Sequence, residues 1–361
     1  FPQQDDHIPT INLSRSINPP SKGVLTFDGA TYDLKKYGNF LGNDVTDMLT
    51  SQTFDLSGLN ASDDVYFTFL YDRGGFGDAP DAGDSLFLQF DTTGQGDFIN
   101  VWSADGTGTA EATFQLVHFP LVETFYFHDE FRFRFMSYGS INGEYDAWHL
   151  DYVVFGANRG PEDTSFVDIS PLRPRTSLLG AYRSDPPAHN REGGYAADFE
   201  YLLGNPTGSS SSGTLNLSLS SAANPLSGTT TQSVATGAVT PYSNVSVPAA
   251  TFSDQSNNWG NYGSLRLTAT TNLAGDIRSE NDTLTTYHRL DSLLGYDDGQ
   301  PDGAYGLTNA RSFCQEYNIP EQDTLTGVWI AFPPGIHYNP VTSQTTCLDG
   351  QTFKLTLWDT L

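Results

Sequence analysis

The sequence predicts an all-β fold: tandem β-sandwiches, with an N-terminal jelly roll, an Ig-like sandwich and a small C-terminal β unit. Three observations lead there. Short runs of alternating apolar and polar residues recur, which is the period of a half-buried strand. Turn formers separate them, with 35 Gly and 20 Pro in 361 residues. Aromatic residues make up 13 % of the chain against 2 Met, a balance that suits sheets.

The length suggests two or three domains, placed at 1–157, 158–292 and 293–361. In the first, strands are expected at 23–27, 65–71, 85–90, 98–102, 112–116, 125–127, 131–135 and 148–155. Phe131, Phe133 and Phe135 alternate with Arg132 and Arg134, so the rings point to one face and the guanidinium groups to the other. A loop with Gly139, Asn142 and Gly143 is expected before the last strand. In the second domain, strands are expected at 197–203, 213–219, 243–247 and 264–269, with a weak edge strand in the Thr-rich stretch 229–240. The serine run 209–212 is expected to be a hairpin loop. In the third, strands are expected at 324–332 and 351–358.

The formal net charge is −26, from 17 basic and 43 acidic residues. Such a surface repels phosphates, which excludes nucleic acid and anionic membranes as partners. No apolar run is long enough to span a bilayer as a helix. Cys314 and Cys347 fit no metal motif and are expected to form a disulfide, with two buried thiols as the other reading. The chain starts at Phe1-Pro2 and ends at Leu361 after a strand pattern, and is expected to be a processed piece of a longer protein.

Catalysis finds little footing. Gly83-Asp84-Ser85-Leu86 spells a lipase and esterase signature, but Ser85 opens an alternating strand with no helix behind it. The histidines His7, His118, His128, His149, His189, His288 and His337 show no zinc-ligand spacing. Carboxylates are so abundant that chance pairs are expected. No enzyme is expected here. A structural Ca²⁺ is the better expectation. Asp151 shares strand parity with Val153 and Phe155, and a buried carboxylate needs a partner. A hard cation would satisfy it, with Asp28 as second ligand; backbone N–H groups would do so equally. Arg132 and Arg134 are a candidate ligand face, set against cross-strand pairing with acids.

Five ordered segments also carry a resemblance. They are Asn18 to Gly29, Leu49 to Ser57, Gly83 to Leu86, Phe131 to Phe135 and Trp148 to Val153. Together they resemble a jelly-roll module of large surface and secreted proteins of Bacteroidota exported by the type IX system. Tyr296-Asp297-Asp298-Gly299, Asp323 to Val328 and Gly350 to Phe353 resemble the segment that often follows it. The module is also similar to MAM domains and to calcium-bearing carbohydrate-binding jelly rolls. There an Ile-Asp-type final strand supplies a calcium ligand, and Leu150-Asp151 stands in that place. Asp-Ser/Thr-Leu tripeptides are similar to O-glycosylation acceptors of the phylum, which would place sugars on Ser85, Thr283, Ser292 and Thr324.

The resemblance implies a non-catalytic protein at the cell surface: an adhesin, structural element or filament component. Its partners would be other surface proteins, copies of itself or extracellular glycans. The alternative is a carbohydrate-binding region of a larger secreted hydrolase.

Overall fold

The computed structural model describes residues 7–12, 14–32, 34–38, 42–107, 113–175, 177–186, 200–207, 212–221, 228–235, 243–248, 263–297, 313–319, 322–331, 336–339, 344–347 and 354–357. Among these residues all regular structure is β-sheet, apart from short 3₁₀ turns.

The first sandwich faces a five-stranded sheet against a four-stranded one. The strands are β1 (Thr10–Asn12), β2 (Val24–Gly29), β3 (Asn43–Thr50), β4 (Tyr66–Arg73), β5 (Ser85–Asp91), β6 (Phe98–Asp105), β7 (Gln115–Pro120), β8 (Phe133–Ser140) and β9 (Gly143–Gly156). One sheet runs β1-β2-β9-β4-β7 and the other β3-β8-β5-β6. Apart from β1–β2 and β5–β6, consecutive strands alternate between sheets, the crossing pattern of a jelly roll. Period-two alternation sends Phe67, Phe69, Leu86, Leu88, Phe90, Phe131, Phe135, Trp148 and Leu150 into the space between the sheets. The Phe67 ring alone meets Phe69, Phe90, Phe119, Phe133, Phe135 and Phe155.

Some sequence expectations move. In place of the strand expected at 125–127 stands a 3₁₀ turn, Thr124–Tyr126. The expected loop at Gly139 to Gly143 is a tight reversal between β8 and β9, and β3 was not anticipated. The parity argument for Asp151 also fails, for a local reason. Thr68 pairs with Val154 but Leu70 with Asp151, so Tyr152 and Val153 both lie opposite one residue of β4. This β-bulge puts Tyr152 at φ 50°, in the left-handed region. Val153 and Phe155 pack with the inner core. Tyr152 joins Val24, Leu70, Phe114 and Phe166 in a separate cluster, so Asp151 lies outside the inner core.

Residues beyond 157 stay on the first sandwich past the expected boundary. Asn158 and Arg159 donate backbone bonds to Asp63 and Asp64, and Arg159 Nη1 reaches Thr68 Oγ1 at 2.7 Å. Phe166 is buried in the Tyr152 cluster, whereas Ile169 belongs to the next core. The crossing between sandwiches therefore centres on Asp168.

The second sandwich pairs β10 (Ser170–Pro174), β11 (Glu200–Asn205) and β14 (Ser243–Pro248) in one sheet. Its other sheet runs β13-β12-β15-β16, from β12 (Ser212–Ser221), β13 (Gly228–Ala235), β15 (Ser264–Asn272) and β16 (Thr283–Arg289). Leu203, Leu215, Leu217, Leu265 and Leu267 fill the interior. β11 and β12 lie in different sheets, and the serine run expected as a hairpin loop lies outside the described residues except for Ser212, which opens β12.

Residues 20–22 wedge between the two sandwiches. A Cβ on Gly204 of β11 would stand 2.3 Å from the Pro20 carbonyl oxygen, so only glycine permits this approach. Ser21 bonds Asp151 in the first sandwich, and Lys22 Nζ donates to the Thr283 carbonyl in the second at 3.3 Å.

Beyond Arg289, β17 (Ile336–Asn339) pairs with β18 (Gln344–Cys347). Residues 322–331 are exposed and outside any ladder, so the strand expected at 324–332 pairs with no strand among the described residues. Of the strand expected at 351–358, the described residues 354–357 are likewise exposed and unpaired in any ladder. The expected Cys314–Cys347 disulfide is corrected: Cys314 is an exposed free thiol. Its strip is held elsewhere, because Tyr182 and Tyr296 hydroxyls donate to the carbonyls of Asn318 and Glu316.

Candidate functional site

The outer face of β3-β8-β5-β6 carries the two predicted arginines. Phe87 lies opposite Met136, Gln89 opposite Arg134 and Ser85 opposite Tyr138, so these residues form rows on the solvent side. The Arg134 guanidinium sits 3.9 Å from the centre of the Phe98 ring, and its Nε donates to Thr50 Oγ1 at 3.0 Å. Arg132 turns to Asp91, at 2.6 Å. Burial pushes Asp91 upward, but Arg132 and the backbone N–H groups of Thr93 and Gly96 outweigh it and hold the carboxyl below its usual range. Arg132 is thus tied into a structural pair, and both guanidinium groups lie over the Phe98 ring, Arg134 the nearer of the two.

The predicted calcium pair is not brought together. Leu25 lies opposite Leu150 and Phe27 opposite Trp148, so Asp28 and Asp151 attach at opposite ends of the β2–β9 pairing. Asp28 bonds Arg15 and the backbone N–H of Ala30, and its own N–H donates to Asp47 at 2.7 Å. Burial pushes Asp47 up to about 8, against a hydrogen bond from Tyr37. Asp151 is satisfied locally: Ser21 Oγ lies 2.7 and 2.9 Å from its two oxygens, and Tyr152 N–H donates at 2.7 Å. Burial still pushes it up to about 7.

Asp151 forms part of a groove of about 440 Å³ between the sandwiches, with Ser21 to Gly23 and Tyr152 to Val153 on one side and Arg278, Glu280 and Asn281 on the other. Next to it stands a carboxylate group the sequence did not single out. Asp168, Asp276 and Asp282 each offer an oxygen within 4.8 Å of the others. A second such group, Asp81, Asp84 and Asp146, closes one end of the first sandwich. Both Asp84 oxygens and Asp146 Oδ2 are engaged: Asn43 and the Asp81 N–H donate to Asp84, and Ser140 N–H donates to Asp146.

Two imidazoles are shut away. His288 Nδ1 lies 3.0 Å from Ser177 Oγ and His149 Nδ1 2.9 Å from Thr26 Oγ1. Both residues are fully buried, and burial pushes both rings down to about 3, so they are neutral. Of the predicted glycosylation sites, Thr283, Ser292 and Thr324 are exposed and Ser85 is half-buried at the start of β5.

No family model and no curated protein matches this sequence. Solved structures give low-scoring alignments. A GH2 β-galacturonidase from Eisenbergiella tayi bound to galacturonate aligns with 79 % of this chain and 44 % of its own, at 10 % identity and TM-score 0.29. A putative β-galactosidase from Bacteroides fragilis aligns with 73 % of this chain and 35 % of its own, at 10 % identity and TM-score 0.26. The N-terminal CBM22-1-CBM22-2 tandem domain from Paenibacillus barcinonensis Xyn10C aligns over 79 % and 91 %, at 13 % identity and TM-score 0.19. The chain spans less than half the length of the two enzymes. Values this low assign no activity.

Proposed function

We propose that this chain is a non-catalytic, adhesive region of an extracellular surface protein, exported by a type IX-like route, whose first sandwich holds extracellular glycans on the outer face of β3-β8-β5-β6. The observation that carries this reading is the Arg134–Phe98 stack at 3.9 Å, beside Phe87, Met136 and the exposed Tyr138. A solvent face needs no aromatic rows for folding; rings offer stacking area to sugars, and a pre-oriented guanidinium offers forked donors to hydroxyl and carboxylate oxygens. The non-catalytic part rests on the sealed, neutral state of His149 and His288 and on the cross-strand neighbours of Ser85, which are Tyr138 and Asp105.

A glycan array followed by calorimetry on the intact chain tests it. Binding weakened at least tenfold by Arg134→Ala and by Tyr138→Ala supports the proposal. Absence of any glycan ligand, or binding indifferent to both substitutions, overturns the glycan-binding part. Release of reducing sugar or ester hydrolysis by the purified chain overturns the non-catalytic part.

A further inference from the structure

The crossing between the sandwiches contains a set of oxygens arranged as no self-contained protein site requires. Asp168 is 0 % exposed, and its Oδ1 has no hydrogen-bond partner among the described residues. Its Oδ2 accepts from Asn281 Nδ2 at 2.8 Å. Asp276 gives Oδ1 to the backbone N–H of Arg278 at 2.7 Å and leaves Oδ2 buried without a partner. Asn281 Oδ1 is also buried without one. Asp282 completes the group, its Oδ1 3.4 Å from Thr271 Oγ1. Two unpartnered carboxylate oxygens, Asp168 Oδ1 and Asp276 Oδ2, thus belong to one acidic cluster, with the Asn281 amide bonded to its edge, and a buried carboxylate oxygen costs free energy unless something positive meets it.

We infer that Asp168, Asp276 and Asp282, with the Asn281 side-chain carbonyl, bind a Ca²⁺ ion that fastens the inter-sandwich crossing to the loop between β15 and β16. The ligands are all hard oxygens from carboxylates and an amide, the set Ca²⁺ takes. The chain positions the loop without the ion: Ile277 N–H donates to the Val167 carbonyl at 3.0 Å and Thr271 Oγ1 to the Ile169 carbonyl at 2.7 Å. These two bonds flank Asp168 and turn it toward the loop. Burial pushes Asp168 up to about 7, and Asp276, Asp282 and Asp151 add to it, with the Asn281 amide opposing. The site differs from Asp28 and Asp151, and from the Asp81, Asp84 and Asp146 group, where the bonds described above engage Asp84 and Asp146.

The test is calorimetric titration of chelator-stripped full-length chain with CaCl₂, with thermal melting in parallel. Ca²⁺ binding and a raised Tm, both lost in Asp168→Asn and weakened at least tenfold in Asp276→Asn, support the inference. Asp276 is half-buried, so its variant keeps the test valid if Asp168→Asn fails to fold by circular dichroism. Three results overturn the inference: no Ca²⁺ binding, binding that survives Asp276→Asn but disappears in Asp84→Asn, or a response to MgCl₂ equal to that with CaCl₂. None bears on glycan binding, so the two proposals fail separately.

Discussion

Ser21 Oγ bridges the two oxygens of Asp151, at 2.7 and 2.9 Å, across the floor of the groove between the sandwiches. The contact answers a buried charge with a hydroxyl, which stabilises a carboxylate far less than a cation would. Asp151 therefore titrates high, and this has a consequence for stability.

Burial moves Asp151 from 3.8 to about 7, and Asp47 and Asp168 move the same way. The folded chain then holds protons that the unfolded chain has released between those values. Unfolding free energy falls as pH rises through that window and levels off above it, a loss of up to ~4 kcal/mol for a shift of this size. In chelator, Tm is expected to be higher at pH 5 than at pH 8, with a shallower slope in Asp151→Asn. An unchanged slope in that variant would show that Asp151 is not a source of the effect.

Gly204→Ala is expected to separate the sandwiches. The new methyl would meet the Pro20 carbonyl at 2.3 Å, and backbone must give way. A cost of about 1–3 kcal/mol in urea unfolding is expected. Hydrogen exchange should rise at residues 18–23, while the Phe67 core keeps its protection.

The Arg134–Phe98 stack should contribute about 0.5–1 kcal/mol at its half-exposed position. A double-mutant cycle with Arg134→Ala and Phe98→Ala measures it. Additive single effects would show that the geometry carries no coupling.

Phe67→Ala removes a fully buried ring in contact with six others and should cost about 3–5 kcal/mol. Chemical denaturation followed by tryptophan fluorescence reads it directly.

Cys314 should react with a maleimide in the native, unreduced protein, because it is exposed and free. Protection from labelling that only a reductant removes would restore the disulfide.

Much of the first sandwich was legible because its strands announce themselves by period. Phe131, Phe133 and Phe135 do face the core, and Arg132 and Arg134 do share the other face. What escaped was anything that depends on a neighbour distant in sequence. The bulge at Tyr152 breaks the count by which Asp151 was placed beside Val153, and no local pattern marks it. The residues 324–332 alternate as a strand would, yet alternation supplies no pairing partner.

The sequence by itself determined the all-β class, the sandwich of aromatic faces and the acidic surface, since each follows from residue type and period. Only the tertiary structure decided which carboxylates meet. No pattern in the sequence joins Asp168 to Asp276 and Asp282. Burying the crossing between two sandwiches removes water from Asp168 and sets the half-buried Asp276 and Asp282 beside it, and desolvation then makes the unpartnered oxygens of Asp168 and Asp276 matter.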